Sequence, residues 1–252
     1  MNRALVLFFA VLAGPLPAWA QDKKKDKKVE PHIALLVPLG APPGKTTKIT
    51  VRGWRLDQAM EVRASDGATA KIVSKGGAAV PDKNPEKVGD TQVIVEVTVP
   101  AKLVADRIDL TVVTPDGVSK GRPLLIEQRL PVVPEKEPNP GFKESQAIEA
   151  PVVVEGTVSA ARDVDVFRLV GKKGRKLRAE ALAARYGSPL DALLSLYDER
   201  GELVAHAAAE KAGADPRLEI ELPGDGVFFL VLSDAHDSGS PLHVYRLVVE
   251  VK

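Results

Sequence analysis

The stretch RLEIELPGDGVFFLVLSD, residues 217–234, decides the fold. Leu218, Ile220 and Leu222 alternate with Glu219 and Glu221, which is the period of a strand with one buried and one wet face. VFFLVLSD is apolar on both faces, as in a central strand covered from both sides. The two runs therefore read as strands over 217–222 and 226–233.

Working outward, YRLVVEV aligns Tyr245, Leu247, Val249 and Val251 in the same alternation. Strands are expected near 152–158, 164–170, 175–183, 192–198, 202–206, 217–222, 226–233 and 243–251, a number that suits a jelly-roll sandwich. LRAEALAAR and ELVAHAAAEKAG score as helices on alanine propensity alone. Gly171, Gly174, Gly187 and Pro189 cut the first short, and the second has room for one helical turn within a loop.

Residues 31–128 show the same period two. Ile49 and Val51 alternate with Lys48, Thr50 and Arg52, Val93 to Val99 share a face at every second residue, and Ile108, Leu110 and Val112 do likewise. SDGA at 65–68, VGD at 88–90 and PDG at 115–117 supply turns. About seven short strands in about a hundred residues predict an immunoglobulin-like sandwich. Between the two β-rich regions, residues 129–147 carry Pro131, Pro134, Pro138 and Pro140, and read as an extended, stiff spacer that holds two modules apart. The expected fold class is all-β: two β-sandwich domains, immunoglobulin-like and then jelly-roll-like, at 31–128 and 148–252, joined by a Pro-rich linker.

The first 20 residues, with Arg3, an apolar run from Ala4 to Ala13 and Ala18-Trp19-Ala20, read as a secretory signal peptide. Residues 21–30, which include DKKKDKK, read as a Lys-rich solvated tether. The chain holds 35 basic and 34 acidic residues, and losing Arg3 leaves the two balanced, which argues against a nucleic-acid partner. With no Cys there is no disulfide, thiolate or lipid-attachment cysteine. No transmembrane segment is expected after signal cleavage, and the expected location is secreted or periplasmic in a bacterium.

PLGAPPGKTTKITVRGWRLDQAMEVRA followed by VVTPDGVSKGRPLLIE, with Gly53, Trp54 and Leu56, resembles the TIG/IPT class of immunoglobulin-like domains. Gly156, DVDVFR, GSPLD at 187–191, LYDERGE, DPRL and DGVFFLVLSD, in that order, resemble the bacterial pre-peptidase C-terminal (PPC) domain over residues 148–252. The second resemblance implies a non-catalytic β-sandwich appendage with a role in adhesion, substrate binding or maturation. Many relatives carry acidic residues where this chain has Ala207, Ala208 and Ala209, so that loop is a poor calcium site. No cofactor is expected, and the remaining weak candidates for metal ligands are Asp163, Asp165 and Asp191.

SDAHDSGSPLH gathers Ser233, Asp234, His236, Asp237, Ser240 and His243, but it lacks the strained serine presentation of a hydrolase and the spacing of a zinc site. GKKGRK at 171–176 lacks a phosphate loop's spacing and reads as a hairpin turn whose Lys172, Lys173, Arg175 and Lys176 suit an acidic glycan. With Trp54, Arg185 and Tyr186 these form the candidate contacts, because aromatic residues and Arg are enriched at binding hot spots. The sequence points to a non-enzymatic binding or adhesion protein recognising an extracellular polysaccharide or envelope protein. The alternatives are a structural subunit of an envelope assembly and, more weakly, a hydrolase using the 233–243 loop.

Overall fold

The structure is a computed structural model and describes residues 29–81 and 85–252. The leader at 1–20 and residues 21–28 of the tether lie outside the described residues.

The first sandwich contains β1 (His32–Val37), β2 (Thr46–Trp54), β3 (Glu61–Ala64), β4 (Thr69–Gly77), the single turn α1 (Pro85–Val88), β5 (Thr91–Thr98), β6 (Arg107–Thr114), β7 (Gly117–Val118) and β8 (Arg122–Leu125). One sheet runs β1-β2-β5-β4, and the other runs β3-β6 with both β7 and β8 paired to β6. If β7 and β8 are counted as two halves of one last strand, this is the ABED and CFG order of a constant-type immunoglobulin domain. Ile49, Val51, Val93, Val95, Val97, Ile108, Leu110 and Val112 fill its core, as their alternation requires. Arg52 departs from the expected polar face: it is buried, and its Nη2 donates to Ala79 O and Gly89 O at 2.9 Å each. A β-carbon at Gly53 would overlap the His32 carbonyl, which explains the glycine beside Trp54.

The second sandwich contains β9 (Val132–Pro134), β10 (Gln146–Ala147), β11 (Val152–Thr157), β12 (Val164–Gly171), β13 (Lys176–Leu182), β14 (Ala192–Asp198), β15 (Leu203–Ala208), β16 (Arg217–Glu221), β17 (Gly226–Asp234) and β18 (Val244–Val251). The sheets run β16-β13-β18-β11-β9 and β10-β12-β17-β14-β15. Without β9 and β10, the eight strands from β11 to β18 have jelly-roll connectivity. The alanine run joins β15 instead of making a helical turn. Ala205 and Ala207 pack against the core and pair with β14, and this burial overrides their helical propensity.

Residues 129–147 are not a free spacer. Val132 to Pro134 pair in parallel with Val153 to Glu155, and Gln146 and Ala147 pair in parallel with Phe167 and Arg168. Proline withholds a donor, but Pro134 lies on the outermost strand, where one edge needs no partner. Nor are the modules held apart. Ala34, Leu35, Leu39 and Val88 of the first sandwich cluster with Val244 of the second, and Trp54, Tyr186 and Leu242 pack against them.

Candidate functional site

The segment after β9 keeps one more ladder bond, Glu135 N to Glu155 O at 2.8 Å, and bends at Glu137. Glu135, Glu137 and Asn139 of this segment are brought together by hydrogen bonds. Glu135 Oε1 accepts from the Tyr245 hydroxyl at 2.7 Å, and its Oε2 accepts from the Thr157 amide at 2.9 Å. Glu137 Oε2 accepts from the Asn139 amide at 3.1 Å, while the Asn139 carbonyl accepts from Val166 N at 3.0 Å. These bonds bring the segment onto β12 and β18.

Asp165 faces it. The residue shares the core-facing row of β12 with Phe167 and Leu169, opposite Leu232, Leu230 and Phe228 of β17. Its side chain is fully buried, and Oδ2 has no hydrogen-bond partner. Oxygens of Glu135, Glu137 and Asp165 all lie within 4.8 Å of one another, the one such acidic group among the described residues. One end of the buried Asn139 amide lies 3.2 Å from both Asp165 Oδ1 and Glu137 Oε2. Turned one way, that end is an N–H donor to the carboxylates, and turned the other way it is a fourth ligand oxygen.

Burial, the hydrogen bond and charge of Glu135, and the charge of Asp163 together push the Asp165 carboxyl up to about 10. Glu137 is raised too, by burial first and then by the charges of Asp163 and Glu135. Burial and the neighbouring carboxylates hold the Tyr245 phenol well above its ordinary value, so it stays a donor. An oxygen-only donor set with several carboxylates suits a hard cation, calcium above all. The unpartnered Asp165 oxygen fits that group, because a buried polar atom without a partner is costly.

Of the residues singled out by sequence, only Asp165 belongs to this cluster. Asp163 lies beside it but braces its own turn, accepting from Ser159 N at 2.6 Å and Ser159 Oγ at 2.8 Å. Asp191 instead pairs with His236 Nε2 at 3.3 Å. Glu135, Glu137, Asn139 and Tyr245 were missed, although three polar side chains at 135, 137 and 139 among the prolines were the signal. The alanine segment at 207–209 offers no ligand side chain, and the acidic site lies elsewhere.

The other candidates scatter. Trp54 and Tyr186 are half-buried in the apolar seam between the sandwiches, with the Trp54 ring 5.3 Å from His32. Arg185 is held by Glu180 at 2.5 Å and Asp215 at 2.8 Å. It belongs to a charged sheet face where Arg178 pairs with Glu180 and Arg217 with Glu219. Lys172, Lys173, Arg175 and Lys176 are exposed around the turn at Gly174, but the turn is not the expected hairpin: β12 and β13, which it joins, belong to different sheets and do not pair. Lys172 and Arg175 line a hollow of about 420 Å³ with Ile148, Leu169, Val170 and Val251. In the 233–243 loop, Asp234 accepts from three backbone amides and the buried Ser240 hydroxyl bonds His243 Nδ1 at 2.8 Å, so the turn itself uses these groups.

The outer face of the β10-β12-β17-β14-β15 sheet differs from the charged one. Arg168, Phe229, Tyr197 and Leu203 lie across it in one row. Phe142 stacks on Phe229 with centroids 4.3 Å apart and 10° between planes, and its centroid is 5.6 Å from that of Tyr197. Leu203 and Val170 of this face are 58% and 75% exposed, an apolar surface open to solvent.

No family model matches the chain, and neither does any curated protein. Among solved structures it is similar to the pre-peptidase C-terminal domain of a Bacillus anthracis collagenase, at 12% identity and TM-score 0.35, over 47% of this chain and 100% of that one. It is also similar to Aeromonas hydrophila PliG, a periplasmic inhibitor of g-type lysozyme, at 15% identity and TM-score 0.32, over 49% of this chain and 98% of that one. A third similarity is to the Bacteroides ovatus SGBP-B from a mixed-linkage glucan utilization locus, at 9% identity and TM-score 0.27, over 88% of this chain and 74% of that one.

Proposed function

We propose that this chain is a secreted or periplasmic, non-catalytic binding protein whose second sandwich, a PPC-type module behind a TIG/IPT-type one, binds a calcium ion. The observation that carries the reading is the fully buried Asp165 side chain, grouped with Glu135 and Glu137 and with one oxygen, Oδ2, lacking a hydrogen-bond partner. Glu135, Glu137, Asp165 and the Asn139 amide would hold the ion, with Tyr245 orienting Glu135. The ion supplies positive charge that replaces carboxylate repulsion with attraction. The protein's own groups tie the segment before the jelly roll to β12 and β18.

Recognition falls to the sheet face carrying Phe142, Tyr197 and Phe229, whose rings suit the apolar faces of sugars or an extended protein segment. A surface polysaccharide or envelope protein is the partner class. Pairing through sheet edges, as an assembly subunit would need, gains no support from β4. That edge strand carries a bulge between Ile72 and Ser74 together with Lys71 and Lys75, features that discourage strand addition.

The test is calorimetric titration of the chelator-stripped full chain with calcium chloride. Saturable one-to-one binding is expected, with Kd on the order of 10⁻⁴ to 10⁻³ M, as for extracellular calcium modules. At 100 times Kd the ion should stabilise the fold by about 2.7 kcal/mol. Asp165→Asn should lose both effects. Heat-silent titration combined with an unchanged melting temperature would refute the cation reading. Co-sedimentation with insoluble polysaccharides and cell envelopes tests the partner, with Tyr197→Ala expected to weaken capture.

A further inference from the structure

The chain from Glu135 to Gln146 leaves the edge of one sheet at β9 and reaches the edge of the other at β10. It is a strap across the open side of the jelly roll. Its base is closed by Gln146, whose Oε1 accepts from Lys136 N at 2.7 Å and whose Nε2 donates to Pro134 O at 3.1 Å. Within this loop two attachments face different parts of the sandwich. Glu137 and Asn139 meet Asp165 at the acidic cluster. Phe142 lies on Phe229, on the outer sheet face, beside Gly201 of the β14–β15 turn, where an added β-carbon would sit 3.4 Å from the ring.

Only Pro140 and Gly141 separate Asn139 from Phe142, at most about 10 Å of chain. One short segment therefore carries both the Glu137 and Asn139 side chains at the cluster and the Phe142 ring on its stack. We infer that Phe142 is a positioning residue for the cation site, and that the strap couples cation occupancy to the aromatic sheet face. This rests on the cation reading above.

The physical basis is shared ordering. Without a cation, no positive charge joins Glu137 to Glu135 and Asp165, so the strap rests on the Asn139–Val166 backbone bond, the aromatic stack and the Gln146 bonds. With a cation, the cluster attracts the strap and its free end lies over Phe229. Each attachment reduces the ordering entropy that remains for the other, so the two reinforce each other by the same factor in both directions. Ser145 Oγ donates to Phe142 O at 2.8 Å, which stiffens the turn that transmits the constraint.

The experiment compares calcium titrations of the full chain, Phe142→Ala and Phe142→Tyr, with amide hydrogen exchange over residues 136–145 in calcium and in chelator. Phe142→Ala should weaken calcium binding about 10-fold, within the range of ordinary site coupling. Phe142→Tyr, which keeps the ring, should stay within about two-fold on the same scale. In the unaltered chain, calcium should slow exchange at 141–145 as well as at 136–139. Calcium binding without protection at 141–145 would overturn the coupling even if Phe142→Ala fails to fold. Equal affinity in Phe142→Ala and the parent would overturn it as well. If the parent binds no calcium at all, the cation site itself falls, and the coupling falls with it.

Discussion

The Tyr245 hydroxyl donates to Glu135 Oε1 at 2.7 Å, joining the last strand of the jelly roll to the segment that precedes its first. Tyr245 is 1% exposed, and its raised pKa keeps the proton on the phenol, so the bond orients one carboxylate oxygen and leaves the other to Thr157 N. Tyr245→Phe keeps the ring and removes only that donor. It should cost about 1 kcal/mol in chelator and weaken calcium binding about 10-fold, the scale at which outer partners tune a metal site. Calorimetry on both proteins decides the point. Unchanged affinity would leave Tyr245 as a core residue only.

Acid stabilises the cation-free state through Asp165. Its folded pKa, raised to about 10, lies above the ordinary value of 3.8, so the folded state keeps a proton that the unfolded state has lost. That contribution is fully present below about pH 4 and is lost as pH climbs toward about 10, with a slope of at most about 1.4 kcal/mol per unit. In chelator, melting temperature should therefore fall from pH 5 to pH 8.5 more steeply in the parent than in Asp165→Asn, which has no proton to lose. Calcium should flatten the parent's profile, because the ion replaces the proton. Parallel profiles for the two proteins in chelator would show that Asp165 does not titrate in this way.

The eight strands of the jelly roll follow from period-two alternation, since each face of each strand is either core or solvent and the side chains say which. Asp165 was legible for the same reason: a carboxylate stands on the row that holds Phe167 and Leu169. Glu135, Glu137 and Asn139 were hidden by Pro134, Pro138 and Pro140. Proline breaks the donor pattern that marks a strand, so nothing in the sequence shows that the segment beyond β9 folds back against β12 and β18. Trp54 and Tyr186 misled for a different reason. An aromatic ring carries no mark of whether it meets a ligand or another part of the chain, and here both close the seam between the sandwiches.

That seam gives a prediction about rigidity. Gly187 has φ +84, and a β-carbon there would overlap the Ala34 carbonyl and the Arg122 guanidinium of the first sandwich. Gly187→Ala adds the left-handed backbone cost of about 1–2 kcal/mol to that overlap. Trp54→Ala removes packing from the same seam by another route, at about 2 kcal/mol for a half-buried ring. Both should split calorimetric unfolding into two transitions, one for each sandwich. A single transition at the parent temperature in both variants would mean that the seam contributes nothing to cohesion.

The two basic features should separate by experiment. Arg185 bridges Glu180 and Asp215, and the Asp215 side chain is 1% exposed, so Arg185→Ala strips a partner from a buried carboxylate. Because Arg185 is itself 45% exposed, the discounted loss is about 1 kcal/mol, with no change in polymer capture. The turn at Lys172, Lys173, Arg175 and Lys176 behaves oppositely. Its side chains are exposed, and replacing all four by Gln should change stability by no more than about 0.5 kcal/mol. The same replacement should shift elution from a sulfated-polysaccharide column to lower salt, since screened attraction between exposed charges is what the turn offers an acidic glycan. Unchanged elution would remove the turn from the recognition surface and leave the aromatic sheet face as its remaining element.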